Sequence, residues 1–110
     1  MTHGGPVAQV PAVQVPAGAY LLDVRELAEW QAGHAPGAVH IPLGELGARY
    51  TELDTGRPLF VICRSGHRSG YAAQALAGAG WDASNVSDGM IGWQAAGLPM
   101  TAESGQPYVA

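Results

Sequence analysis

The chain contains no lysine. Its basic charge rests on five arginines against nine acidic residues, and the formal net charge is −4. A nucleic-acid binder shows a basic excess, and this composition has none. Cysteine is scarce as well: Cys63 stands alone. A single thiol excludes an internal disulfide, a Cys-x-x-Cys redox pair and a zinc site built on several cysteines. It is most at home in a reducing compartment. No run approaches the roughly 20 apolar residues of a membrane span. The opening stretch MTHGGPVAQVPAVQVPAG lacks the basic segment and long apolar core of a secretory signal. These absences lead us to expect a cytoplasmic protein that binds neither nucleic acid nor membrane.

What is present is a short globular chain. It has 110 residues, 47% of them hydrophobic and 13% charged. That balance belongs to a folded domain rather than a disordered one. A domain of this size buries roughly 65% of the surface its unfolded chain exposes, enough for one core. We expect a flexible tail over 1–11, one domain over 12–100 and a second tail over 101–110.

The pattern within the domain alternates. AVQV at 12–15 reads as a short edge strand between Pro11 and Pro16. AYLLDV at 19–24 reads as a buried strand, and RELAEWQAG at 25–33 as a short helix with Glu26 and Glu29 in its early turns. GAVHIP at 37–42 is a third strand, and LGELGARYTEL at 43–53 a weak helix diluted by two glycines. LFVIC at 59–63 is the clearest strand: short, apolar and free of breakers. A helix follows over 69–80, a last strand over 83–89 and a last helix over 90–99. Strands alternating with helices imply an α/β fold, a parallel sheet covered on both faces. Sites in such sheets form beyond the carboxyl ends of the strands.

CRSGHRSG at 63–70 leaves the clearest strand at that end. Gly66 and Gly70 allow the backbone to curl, and a curled loop entering a helix turns several N–H groups toward one point. A sulfur placed there sits among partial positive charges, beside the guanidiniums of Arg64 and Arg68. That setting favours the thiolate and lowers a thiol pKa from about 8.5 into the range of roughly 3.5–7.5. The forked donors of the two arginines match oxyanions. Ser65 and Ser69 could donate to the same anion, and Ser69 has the alternative role of helix cap. His67 either tunes charge at the mouth or is simply solvated. The plain alternative for Cys63 is packing, because free cysteines are among the most buried residues. His34 and His40 have no metal-ligand company, so no metal site is expected.

The loop CRSGHRS resembles the active-site loop of rhodaneses, the sulfurtransferase family, with four residues between the cysteine and Arg68. LLDVREL with GHAPGAVHIP, and SDGMIGWQAAGLP, resemble the family's N-terminal and C-terminal signatures. The likeness spans about residues 12–100. Ala35 stands where a larger aliphatic is usual, and Asp88 where a second glycine is frequent. The resemblance implies a rhodanese-like fold, a five-stranded parallel sheet with short helices on both faces, and a sulfur-transfer reaction without metal or organic cofactor. It implies that Cys63 attacks thiosulfate or another sulfane-sulfur donor, holds a persulfide and passes the sulfur to cyanide or a thiol. Arg64, Ser65, Gly66, His67, Arg68 and Ser69 would form the substrate cradle. Asp23 and Arg25 are expected as a structural ion pair beside the site, and Trp93 as one wall of it.

Two rivals accompany this reading. A persulfide carrier fed by a partner such as a cysteine desulfurase uses the same chemistry. A cysteine phosphatase or arsenate reductase places five residues between cysteine and arginine, and the shorter cradle here suits one sulfur better than a phosphate tetrahedron.

Overall fold

A computed structural model describes residues 7–110. Five strands form one sheet: β1 (Gln9–Val10), β2 (Tyr20–Asp23), β3 (Val39–His40), β4 (Leu59–Ile62) and β5 (Ala83–Val86). Their order is β1-β5-β4-β2-β3, and every pairing is parallel. The helices are α1 (Leu27–Ala32), α2 (Leu43–Arg49), α3 (His67–Gly78) and α4 (Gly89–Ala95). Among the described residues no helix is long and apolar enough to cross a membrane.

The central strands β2 and β4 are largely apolar on both sides because both sides are covered. Alternation divides their side chains between two cores. On β4, Leu59, Val61 and then Cys63 pack with Leu46 of α2 and with Ala72, Ala73 and Leu76 of α3. Ile62 points the other way, into a second cluster with Met90 and Trp93 of α4. β2 divides likewise, with Leu22 in the first cluster and Leu21 in the second. Cys63 therefore leaves the central strand on the α3 side.

The edge strand expected at 12–15 is displaced. Gln9 and Val10, assigned to the tail by sequence, pair with Asn85 and Val86 of β5. Pro11 has no N–H to continue that ladder. The chain instead turns through a single 3₁₀ turn at Ala12–Gln14, with Ala12 fully buried. Pro16 then holds Val15 in extended backbone, at ψ 126°. Residues 1–6 of the expected tail lie outside the described residues.

The segment after residue 100 lies against the domain. Thr101 bridges to His34, the Tyr108 N–H donates to Ala32 O, and the Val109 N–H donates to Gln94 Oε1. The remaining expected elements form, with ends shifted by a few residues.

Candidate active site

The site begins at the carboxyl end of β4. Cys63 follows the strand, three residues turn, and α3 starts at His67. The turn depends on Gly66, whose φ of +100° lies in the left-handed region. A Cβ there would also collide with the backbone carbonyl of Ser87. Gly89 is the second required glycine. It has φ +58°, and a Cβ on it would strike the carbonyls of Cys63 and Arg64. That close approach lets the first amides of α4 hold the loop: Met90 N–H donates to Cys63 O at 2.8 Å and Ile91 N–H to Arg64 O at 3.1 Å. Asp88, the departure noted beside Gly89, accepts a hydrogen bond from Ala12 N–H at 2.8 Å and so ties the 3₁₀ turn to α4.

Cys63 is 1% exposed and touches the aliphatic core, yet its sulfur faces polar donors. The Gly66 N–H lies 3.2 Å from Sγ, the Ser69 N–H 3.4 Å and the Ser69 hydroxyl 3.2 Å. Burial pushes the thiol pKa up. The hydroxyl of Ser69 and the amides of Ser69, Gly66 and Ser65 outweigh it, so the thiol ionises below its ordinary value.

Arg64, Ser65 and His67 are exposed around this cradle. Ser65 Oγ and His67 Nδ1 are 3.3 Å apart, and Arg64 Nε donates to the Ala110 carbonyl. Ser69 differs from the sequence expectation. It is fully buried, in the first turn of α3 rather than at its cap, and its hydroxyl reaches inward to Sγ and to Asn85.

Arg68 is already paired. Its Nη1 and Nη2 donate to the two carboxylate oxygens of Glu29, at 2.8 and 3.0 Å. The pairing holds the Glu29 carboxyl below its usual range, against partial desolvation, and raises Arg68. Glu29 Oε1 also accepts the Glu26 N–H, closing a capping box on α1. Glu29 was legible only as a helix-dipole partner, because nothing in RELAEWQAG shows that α1 faces the loop.

Asp23 and Arg25 are both fully buried and joined at 2.7 Å. Arg25 Nη2 also donates to Gly33 O. Asp23 stands opposite Ile62 across the β2–β4 pairing, so the pair lies beside the start of the loop. Trp93 is placed elsewhere. It packs in the core on the α4 side and lines a cavity with Leu21, Leu98 and Val15 that includes none of residues 63–69. The α4 turn that reaches the loop presents backbone amides, and Trp93 lies a turn further on.

Sequence reading missed Asn85 as well as Glu29. A signal existed: Asn85 is a polar residue in a short strand, two positions from buried Ala83 and on the same side of the sheet.

Comparison with known proteins agrees with the geometry. The family model for the rhodanese-like domain matches residues 10–96, and the chain belongs to that family. A protein of Allochromatium vinosum named "Sulfurtransferase" is 35% identical over 86 residues, 77% of this chain and 80% of its own length. The "Putative sulfur carrier protein YrkF" of Bacillus subtilis is 45% identical over 74 residues, 66% of this chain. The chain spans 40% of YrkF, less than half of that relative. The crystal structure of a rhodanese-related protein from Thermoplasma volcanium superposes with a TM-score of 0.81 at 28% identity, covering 86% of this chain and 97% of that one.

Proposed function

We propose that this chain is a sulfurtransferase that moves a sulfane sulfur through a persulfide on Cys63. The observation that carries the reading is the setting of Sγ, just before a helix, with two backbone N–H groups directed at it and the Ser69 hydroxyl 3.2 Å away. Such a setting keeps a thiol ionised, and the thiolate is the nucleophile.

With thiosulfate as donor, the thiolate attacks the outer sulfur. A bond forms between Sγ and that sulfur, and the bond to the sulfonate group breaks. Its electron pair leaves on sulfite. The Cys63 persulfide anion keeps one negative charge on its outer sulfur, which the curled loop can hold as an oxyanion hole holds an oxygen. Cyanide then attacks the outer sulfur, thiocyanate departs and the thiolate returns. A thiol acceptor in its thiolate form reacts in the same way. Exposed Arg64 and half-buried Arg68 supply charge for an anionic donor, and Arg68 does so in exchange for part of its contact with Glu29. Because Cys63 is nearly closed off, a donor whose reactive sulfur projects from the end of the molecule fits best.

The likeness to YrkF favours a second use of the same chemistry, in which a partner such as a cysteine desulfurase loads Cys63. Steady-state conversion of thiosulfate and cyanide to thiocyanate tests the first reading. Turnover is expected in the native chain and absent in Cys63→Ser with the fold retained. Turnover that survives this substitution removes the mechanism. A very weak thiosulfate KM with rapid loading from a desulfurase turns the assignment toward the carrier.

A further inference from the structure

We propose that Asn85 is a positioning residue for this reaction, holding the single hydroxyl proton of Ser69 whenever Sγ is uncharged and releasing it to Sγ when the thiolate forms. The inference rests on the sulfur-transfer reading of Cys63 and extends it to a residue on β5.

The orientation of Asn85 is fixed by its own bonds. Its Nδ2 donates to Gln9 Oε1 of β1 at 2.8 Å and to Gly66 O at 3.0 Å. Both amide protons are used, and turning the group over would set Oδ1 against two oxygens. Oδ1 therefore faces Ser69, and the hydroxyl donates to it at 2.6 Å. The same hydroxyl lies 3.2 Å from Sγ. A serine hydroxyl has one proton, so it cannot serve both acceptors at once.

The charge on sulfur decides between them. In the neutral thiol, S–H can donate to Ser69 Oγ while the hydroxyl donates to Asn85, and every group is satisfied. In the persulfide, Sγ is the inner sulfur, the negative charge lies on the outer one, and the proton again belongs on Asn85. In the thiolate, Sγ becomes the stronger acceptor. The proton then turns toward it and leaves Oδ1, 3% exposed as part of Asn85, without its donor. Leaving a buried acceptor unpartnered is unfavourable. Asn85 thus opposes the thiolate and favours the thiol and the loaded persulfide. It offsets part of what Ser69 contributes to ionisation.

Other charged or titratable groups lie on the elements next to the cradle. They are Arg64, His67 and Arg68 of the loop and α3, Glu26 and Glu29 of α1, the Asp23–Arg25 pair of β2, and Asp88 before α4. None of them hydrogen-bonds to Sγ, Oγ or Oδ1 among the described residues.

The experiment is the pH dependence of Cys63 alkylation by iodoacetamide in a double-mutant cycle of Asn85→Leu and Ser69→Ala, with folding checked by thermal melting. Asn85→Leu commits the hydroxyl to sulfur and should raise the thiolate-to-thiol ratio at fixed pH by about threefold or more. In the Ser69→Ala background the same substitution should leave that ratio unchanged. A lowered ratio would show that Asn85 only props the Gly66 turn, and an equal rise in both backgrounds would remove Ser69 from the account; either result overturns the proposal. If Asn85→Leu does not fold, Asn85→Ala replaces it and removes the same acceptor, so the ratio should again rise, and rise only with Ser69 present. An equal rise in both backgrounds overturns the proposal. These readouts need no sulfur transfer, so their failure is distinct from an absence of turnover.

Discussion

Glu29→Gln is the perturbation that separates the two jobs open to Arg68. The wild-type pair is bidentate, with Arg68 35% and Glu29 19% exposed. Solvent reaches both partners, so breaking the pair costs about 0.5–1 kcal/mol rather than the several lost when one partner of a fully buried pair is removed. Glutamine retains the oxygen that accepts the Glu26 N–H, and glutamine is itself a capping-box residue, so α1 should persist. The substitution removes the negative charge competing with an anionic donor for Arg68. If donor binding requires Arg68 to exchange Glu29 for the donor, the thiosulfate KM should fall by about 2- to 5-fold, the same 0.5–1 kcal/mol expressed as binding. The kcat should stay nearly constant, because the change acts on donor association. The gain should shrink with added salt, since the charges are partly screened. Steady-state thiocyanate formation at low and high ionic strength measures all three. A KM that is unchanged or higher in Glu29→Gln would refute the reasoning and leave Arg68 as the partner that anchors α1.

Other expectations follow from neighbouring contacts. Asp23→Asn leaves the Arg25 guanidinium buried without its carboxylate, and chemical denaturation should show a loss of about 3–5 kcal/mol. Gly66→Ala forces a side chain into the left-handed region at about 1–2 kcal/mol and into the Ser87 carbonyl besides, so the melting temperature should fall. It should also withdraw the Gly66 N–H from Sγ and slow alkylation at fixed pH. Because the Cys63 pKa is lowered on folding, the native state binds fewer protons than the unfolded one between the two pKa values. Stability should therefore rise with pH across that window, be fully present above the ordinary thiol range, and lose this dependence in Cys63→Ser.

The parallel α/β architecture was legible because β2 and β4 are apolar on both faces and each is followed by a helix. Cys63 was legible because it ends the clearest strand before a Gly-containing polar loop. The edge strand was misplaced because Pro11 and Pro16 frame AVQV as a unit, whereas the sheet takes Gln9 and Val10, just before the residue that cannot donate. The partners Glu29 and Asn85 were hidden for a different reason. They meet the loop across 39 and 16 residues of sequence, through the placement of α1 and the register of β5. Trp93 misled because its motif lies next to residues that do reach the loop. α4 makes that contact through the amides of Met90 and Ile91, and the indole turns into the core to donate to Pro99 O.

The central claim is that the cradled sulfur of Cys63 accepts and carries a second sulfur atom. Mass spectrometry of the intact chain and of its Cys63 peptide after thiosulfate treatment tests this most directly. The account predicts one added sulfur on that peptide, removed by cyanide and absent in Cys63→Ser. An unmodified Cys63 peptide after exposure to both thiosulfate and a desulfurase-generated persulfide would contradict it.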